Sequence, residues 1–403
     1  MVKKAKTEPS LIGQKSQNRT VPKWFIEEIM KKKLGIYIHI PFCVKKCNYC
    51  DFNSFASDKD MQMNYITALC EEMKRNSEAY KDYVVDTVFV GGGTPSILVP
   101  DLTKKFFDYL YSNYKIDSNA EISMESNPGT LTKEKAKAYK EIGINRMSLG
   151  LQSTVDSELK ILGRIHTYNE FLESFMILRD ERFNNINVDL MNGIPEQTFE
   201  TFSNGLEIIK ELNPEHISIY SLILEEGTPF YSMNLKLPNE EEERRMVHSI
   251  PEILGSEYHQ YEISNYSKRG FECKHNIKYW KRDEYLGFGL SAASFMNETR
   301  FKNTDDIKVY LDNSDNKNVY TEYEVLNKDE QMSEYIILGL RMNEGVDITD
   351  FEKTFGKSVY DVYGDKIALH IKEELLERKN NHLFLTEKGR DLANYVWSDF
   401  LGD

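Results

Sequence analysis

The sequence predicts an α/β fold: a partial (β/α)6 barrel followed by a mostly helical, winged-helix-like C-terminal domain. Two observations carry that expectation. Between residue 36 and about 265, strand-like runs alternate six times with helical patterns, as parallel strands joined by right-handed crossovers do. The residues capable of chemistry also fall at the C-terminal ends of those runs, where βα-loops gather in such folds. Six units are too few for a closed eight-fold barrel, so the array should stay partial.

In chain order, residues 1–33 carry nine Lys/Arg against three Glu and read as a basic, solvated extension with a short helix at 24–30. Strands are expected over 36–40, 87–90, 121–124, 146–151, 186–190 and 216–224, with helices over 61–80, 102–114, 133–142, 169–179 and 199–212. The barrel should therefore occupy 34–265. A linking segment over 266–325 holds a glycine-rich run, Tyr285-Leu286-Gly287-Phe288-Gly289-Leu290-Ser291, and a polar loop at 312–318. Residues 326–403 read as helices, a short β-wing near His382-Leu383-Phe384-Leu385-Thr386 and a last helix.

Composition limits the function classes. A hydrophobic share of 40% and a charged share of 29% over 403 residues describe an ordinary globular chain. A net charge of −14 argues against a general nucleic-acid binder, which needs a basic face to displace counterions. No apolar run reaches membrane-spanning length, and the Lys-rich N-terminus lacks a signal-peptide core. Five cysteines, three of them clustered, make no disulfide framework and point to a reducing compartment, the cytoplasm. A peripheral contact of the basic extension with anionic lipid at the inner face of the membrane is the lesser reading of that segment.

The most informative feature is Cys43-Val-Lys-Lys-Cys47-Asn-Tyr-Cys50, a C-x3-C-x2-C run just after the first strand. Three thiolates without a fourth ligand leave a tetrahedral zinc site incomplete. They can instead hold three irons of a 4Fe–4S cubane and leave the fourth open to a ligand. The turn Gly91-Gly92-Gly93-Thr94-Pro95 follows the second strand, and its glycines let backbone groups approach a ligand without a Cβ in the way. Glu125 ends the third strand, Gln152 the fourth, and Asp189 lies in the fifth.

Tyr37-Ile38-His39-Ile40-Pro41-Phe42-Cys43, the glycine turn, Leu162-Gly163-Arg164-Ile165-His166 and His275-Asn276-x-x-Tyr279-Trp280 stand in that order. Together they resemble the radical S-adenosylmethionine superfamily, in particular the group related to anaerobic coproporphyrinogen III oxidase and its heme-chaperone branch. The resemblance runs from Ile36 to the C-terminus. It implies a cluster on Cys43, Cys47 and Cys50, with S-adenosylmethionine chelating the open iron and one electron cleaving its sulfonium bond. Contacts to that cofactor would map to Tyr37, Tyr49, Gly92, Gly93, Thr94, Glu125, Gln152, Arg164 and Asp189, with backbone or apolar contacts at Ile223 and Ala293. No catalytic side chain is assigned.

Two departures from the oxidase matter. Phe52 stands where the oxidases carry a further cysteine, and the N-terminus lacks their substrate-binding segment. The heme-chaperone branch therefore fits better. It implies heme as cargo, a heme-acceptor protein and a reductant for the cluster as partners, with His275 as axial ligand and Cys273 as a thiolate alternative. Tyr279 and Trp280 would cover the porphyrin face. Many relatives carry a histidine near Ser291-Ala292-Ala293-Ser294, and this chain has none there. The alternatives are an oxygen-independent coproporphyrinogen III oxidase, whose activity is not expected, or another radical-SAM tetrapyrrole enzyme.

Overall fold

The computed structural model describes residues 32–316 and 319–401. The basic extension and its helix at 24–30 lie outside them, save that Lys32 and Lys33 already belong to the first strand.

A single twelve-stranded sheet organises the chain, in the order β12-β11-β10-β9-β1-β2-β3-β4-β5-β6-β8-β7. The six expected strands form its centre in sequence order: β1 (Lys32–Ile40), β2 (Tyr83–Gly92), β3 (Ile116–Ser126), β4 (Arg146–Gln152), β5 (Ile186–Asn192) and β6 (His216–Ser221). The pairs from β2–β3 to β5–β6 are parallel, as the crossover pattern requires. Beyond β6 lie the antiparallel β8 (Asn265–Ser267) and β7 (His259–Glu262). Beyond β1 lies a seventh parallel strand, β9 (Tyr285–Phe288), followed by antiparallel β10 (Ala293–Met296), β11 (Thr299–Asn303) and β12 (Tyr320–Val325). Residues 285–325, expected to link, thus widen the sheet by four strands.

Period-two alternation splits each central strand into two faces. Leu34, Ile36, Ile38 and Ile40 of β1, Val88 and Val90 of β2, and Met147 and Leu149 of β4 are buried in one large core. Phe106, Phe107, Tyr139 and Phe171 from the crossover helices fill the same core. The other row is polar: Thr87, Glu121, Glu125, Arg146, Ser148, Asp189 and His216. A sheet with helices on one side and a polar row on the other is a scaffold for a site.

The C-terminal unit is mostly helical and has its own core of Met332, Ile336, Phe351, Ile367, Val396 and Phe400. It also carries a three-stranded antiparallel sheet, in the order β13 (Val346–Asp347), β15 (His382–Leu385), β14 (Leu376–Lys379).

Candidate functional site

The loop after β1 is pinned at both ends. The Cys43 amide donates to Phe55 O at 3.0 Å, and the Phe55 amide donates to Pro41 O at 2.8 Å. Between them Cys43, Cys47 and Cys50 remain free and half-buried, and all three line a cavity of about 480 Å³ at the strand C-termini. Thr94 Oγ1 donates to Cys43 Sγ at 3.5 Å, and Arg164 Nη1 donates to Cys47 Sγ at 3.6 Å. Such donors favour thiolates. Burial pushes the Cys50 thiol up to about 11. Among the described residues, no three His, Cys, Asp or Glu side chains converge on one point as a single ion would require. A cubane asks for the opposite, spread thiolates with one per iron.

Gly92 has φ 109°, and its N–H donates to Glu125 Oε2 at 3.0 Å. A Cβ on Gly92 would lie 2.4 Å from the His39 ring, and one on Gly93 would lie 2.7 Å from Phe42 O. These two glycines are therefore demanded by the packing of β2's end onto β1. Both also line the cavity, so the same missing Cβ atoms leave bare backbone on its wall. The packing aims a backbone N–H at the carboxylate behind the cavity.

Glu125 and Asp189 both face the cavity. Burial, and then the neighbouring Asp189 charge, push the Glu125 carboxyl up to about 8. Burial also raises Asp189, although Ser148 Oγ (3.1 Å) and Asn187 Nδ2 (2.7 Å) donate to its oxygens. Two acids are thus held in a poorly solvated wall, a place suited to a cation.

Arg164 reaches the cavity because its loop docks on the cysteine loop. The Asn48 amide donates to Leu162 O and its Nδ2 to Ile161 O, both at 2.9 Å. Gly163, at φ 79°, leaves room for the Asn48 side chain. Arg164 Nη2 then donates to Gly150 O at 2.5 Å and to Asn127 Oδ1 at 2.7 Å, while Asn127 Nδ2 donates to Thr94 Oγ1 at 2.8 Å. Asn127 is a connector that the sequence reading missed; its signal was Asn127-Pro128-Gly129-Thr130 directly after β3. Gln152 lines the cavity at φ 76°, where the β4–β5 register slips between Gly150 and Gln152. Non-glycine strain of this kind concentrates at functional positions.

The cavity thus gathers Cys43, Cys47, Tyr49, Cys50, Gly92, Gly93, Thr94, Glu125, Gln152, Arg164, Asp189 and Ile223. Tyr37 and Ala293 do not join it. They line a second cavity of about 430 Å³ with Phe52, Tyr279, Trp280 and Tyr285. Phe52 is exposed and borders both cavities.

The expected heme ligands fare differently. Helix Lys274–Trp280 lies on the polar row of the sheet, and His275 is fully buried there. Its Nδ1 bonds Thr87 Oγ1 and its Nε2 bonds the Tyr279 hydroxyl, both at 2.8 Å, and the ring stacks on Phe89. Burial, and then the Lys278 charge, push the imidazole down to about 3. A neutral imidazole with both nitrogens engaged has no lone pair left for iron. Cys273 is also fully buried, its Sγ on Glu121 Oε1 at 3.7 Å and its thiol raised by burial to about 12. As arranged here, both residues are engaged within the protein, and an axial role would require them to give up these partners.

An open parallel sheet with a three-cysteine loop at its first strand end defines the class, and the Radical SAM superfamily matches residues 37–209. The HemN C-terminal domain matches residues 326–392. A heme chaperone HemW of Bacillus subtilis is 36% identical over 91% of this chain and 99% of its own length. One from Lactococcus lactis is 35% identical over 93% and 99%. The chain belongs to the HemW family. Among solved structures, coproporphyrinogen III oxidase (HemN) from Escherichia coli superposes with a TM-score of 0.82 over 94% of this chain and 93% of its own, at 22% identity. That likeness shows the fold. Radical SAM membership implies a 4Fe–4S cluster and S-adenosylmethionine, and the thiol loop with its donors fits the cluster.

Proposed function

We propose that this chain is a heme chaperone that binds heme and hands it to an acceptor protein. It carries a 4Fe–4S cluster on Cys43, Cys47 and Cys50, with S-adenosylmethionine in the adjoining cavity. The observation that carries this reading is the likeness to proteins named heme chaperones across nearly their whole length, 99% for the Bacillus relative. The oxidase likeness, at 22% identity, supports shared architecture rather than shared chemistry.

When bound, the cluster and S-adenosylmethionine supply one-electron chemistry, for which a reductant is needed. The chain's own residues bind and orient. Thr94 and Arg164 would stabilise two thiolates, while Glu125 and Asp189 would offer acceptors and negative charge to the amino N–H groups and sulfonium of the cofactor. Asn127 keeps Thr94 and Arg164 in register. A cytoplasmic site of action belongs to the same reading, since free thiols persist in a reducing compartment. No helix among the described residues is long and apolar enough to cross a membrane. Contact of residues 1–33 with anionic lipid is the accessory part of the proposal.

Asp189→Asn should weaken S-adenosylmethionine binding roughly tenfold to a hundredfold, the worth of a charge-assisted contact, and leave the iron content unchanged. The readout is the shift of the reduced cluster's EPR signal on cofactor addition. A wild-type response at wild-type concentrations would remove Asp189 from the pocket.

Heme titration tests the function itself. The wild-type chain should give a shifted Soret band at near-stoichiometric heme, and unaltered free-heme spectra would overturn the reading. His275→Ala should lower the melting temperature, because it removes the hydrogen bonds to Thr87 and Tyr279, and loss of the band with it would make His275 the axial ligand. Coproporphyrinogen III should remain unconverted under strict anaerobiosis. Many turnovers would make the oxidase reading correct.

A further inference from the structure

A cleft of about 730 Å³ lies between β6, helix Glu240–Leu254 and the last helix, Ala393–Phe400. Arg341 stands in its wall, its guanidinium carbon 4.3 Å from the Trp280 ring centre and 5.1 Å from that of Trp397. Both indole N–H groups and Arg341 Nε are buried without an acceptor among the described residues. Glu262, whose charge Arg341 feels, commits its Oε1 to the Ser264 amide and the Asn265 side chain. Its Oε2 is buried without a donor.

Arg341 is half-buried, and a guanidinium partly withdrawn from water ordinarily meets a carboxylate or phosphate in a planar fork. Here two indoles lie against it, and among the described residues no carboxylate pairs with it. The missing partner is an acceptor with negative charge, carried on a body that suits aromatic and aliphatic walls. Val247, Ile250 and Leu392 supply the aliphatic side, and the volume is that of a pocket for a drug-sized ligand. Tyr220, Ser221 and Ile223 line both this cleft and the cysteine-bearing cavity, so the two adjoin at the end of β6.

We propose that this cleft holds the heme, with Arg341 pairing a propionate carboxylate beside the two indoles. The proposal rests on the heme-chaperone reading and adds a place and an anchor to it.

The test compares hemin with hemin dimethyl ester, whose propionates are masked, by Soret titration of the full chain reconstituted with its cluster. Wild type should prefer hemin by roughly tenfold to a hundredfold. Arg341→Ala should lose that preference and bind the ester as wild type does. An unchanged EPR response to S-adenosylmethionine would mark the variant as folded. The wild-type comparison needs no variant, so a folding defect does not decide the matter. Equal binding of hemin and ester by wild type, or a preference retained in Arg341→Ala, overturns the cleft and leaves the chaperone reading standing. Wild type binding neither compound overturns both.

Discussion

Cys47→Ala should strip the iron from this protein. Each cubane thiolate holds one iron, and the chain has no spare to replace the lost one. Cys70 is buried in helix Lys59–Ser77, as a small apolar filler would be, and Cys273 is buried against Glu121. Anaerobic reconstitution should give about four irons per wild-type chain and close to none in the variant. Full iron occupancy in Cys47→Ala would refute the ligand set. Loading should also quicken with rising pH, because the raised Cys50 thiol must release its proton to solvent before its sulfur can bind iron.

Glu125→Gln should stabilise the ligand-free protein and cripple its binding of S-adenosylmethionine. The folded carboxyl titrates near 8 instead of its ordinary 4.5. Between those values the folded chain keeps a proton that the unfolded chain has released. Stability therefore falls as pH rises from about 4.5 to about 8. At about 1.4 kcal/mol per unit, the penalty reaches a few kcal/mol at the upper end. Glutamine cannot ionise, so the variant should melt higher than wild type at pH 8, by differential scanning fluorimetry. The cationic cofactor prefers the ionised acid, so wild-type affinity should climb toward pH 8 with uptake coupled to proton release. Calorimetry in buffers of different ionisation enthalpy reads that release. Equal affinity and equal pH slope in the two proteins would place the cofactor's charges elsewhere.

The central strands were legible because their apolar face alternates and their crossover helices are amphipathic. Helix 133–142 appears at the expected residues, and β4 and β5 extend expectation by one or two. The cysteines, Glu125, Gln152 and Asp189 were legible because a strand end fixes where its last residues point. β9 was not. Tyr285-Leu286-Gly287-Phe288 is only four residues long and holds a glycine, which reads as a loop. That glycine is required because a Cβ there would lie 2.2 Å from Ala293 O. The surroundings of His275 were illegible for a different reason. A histidine beside two aromatics looks the same in sequence whether it faces a cavity or a core, and only the Thr87 and Tyr279 partners decide.

The route of the chain from β8 to β9 has a consequence for how the protein is made. These strands lie beyond opposite ends of the β1–β6 array, and the segment between them sets helix Lys274–Trp280 against the polar row. Glu121 receives the first two amides of that helix, at 3.1 Å from Lys274 and 3.2 Å from His275. A nascent chain ending at residue 265 would hold all six central strands, yet water would still wet Thr87 and Glu121, and β1 would keep a bare edge. Ribosomal synthesis must reach β9 before that edge is covered, and unpaired edges invite association with other chains. A gene truncated before Lys274 therefore encodes an adhesive half-shell, and the barrel becomes an independent body only when its plug has been translated.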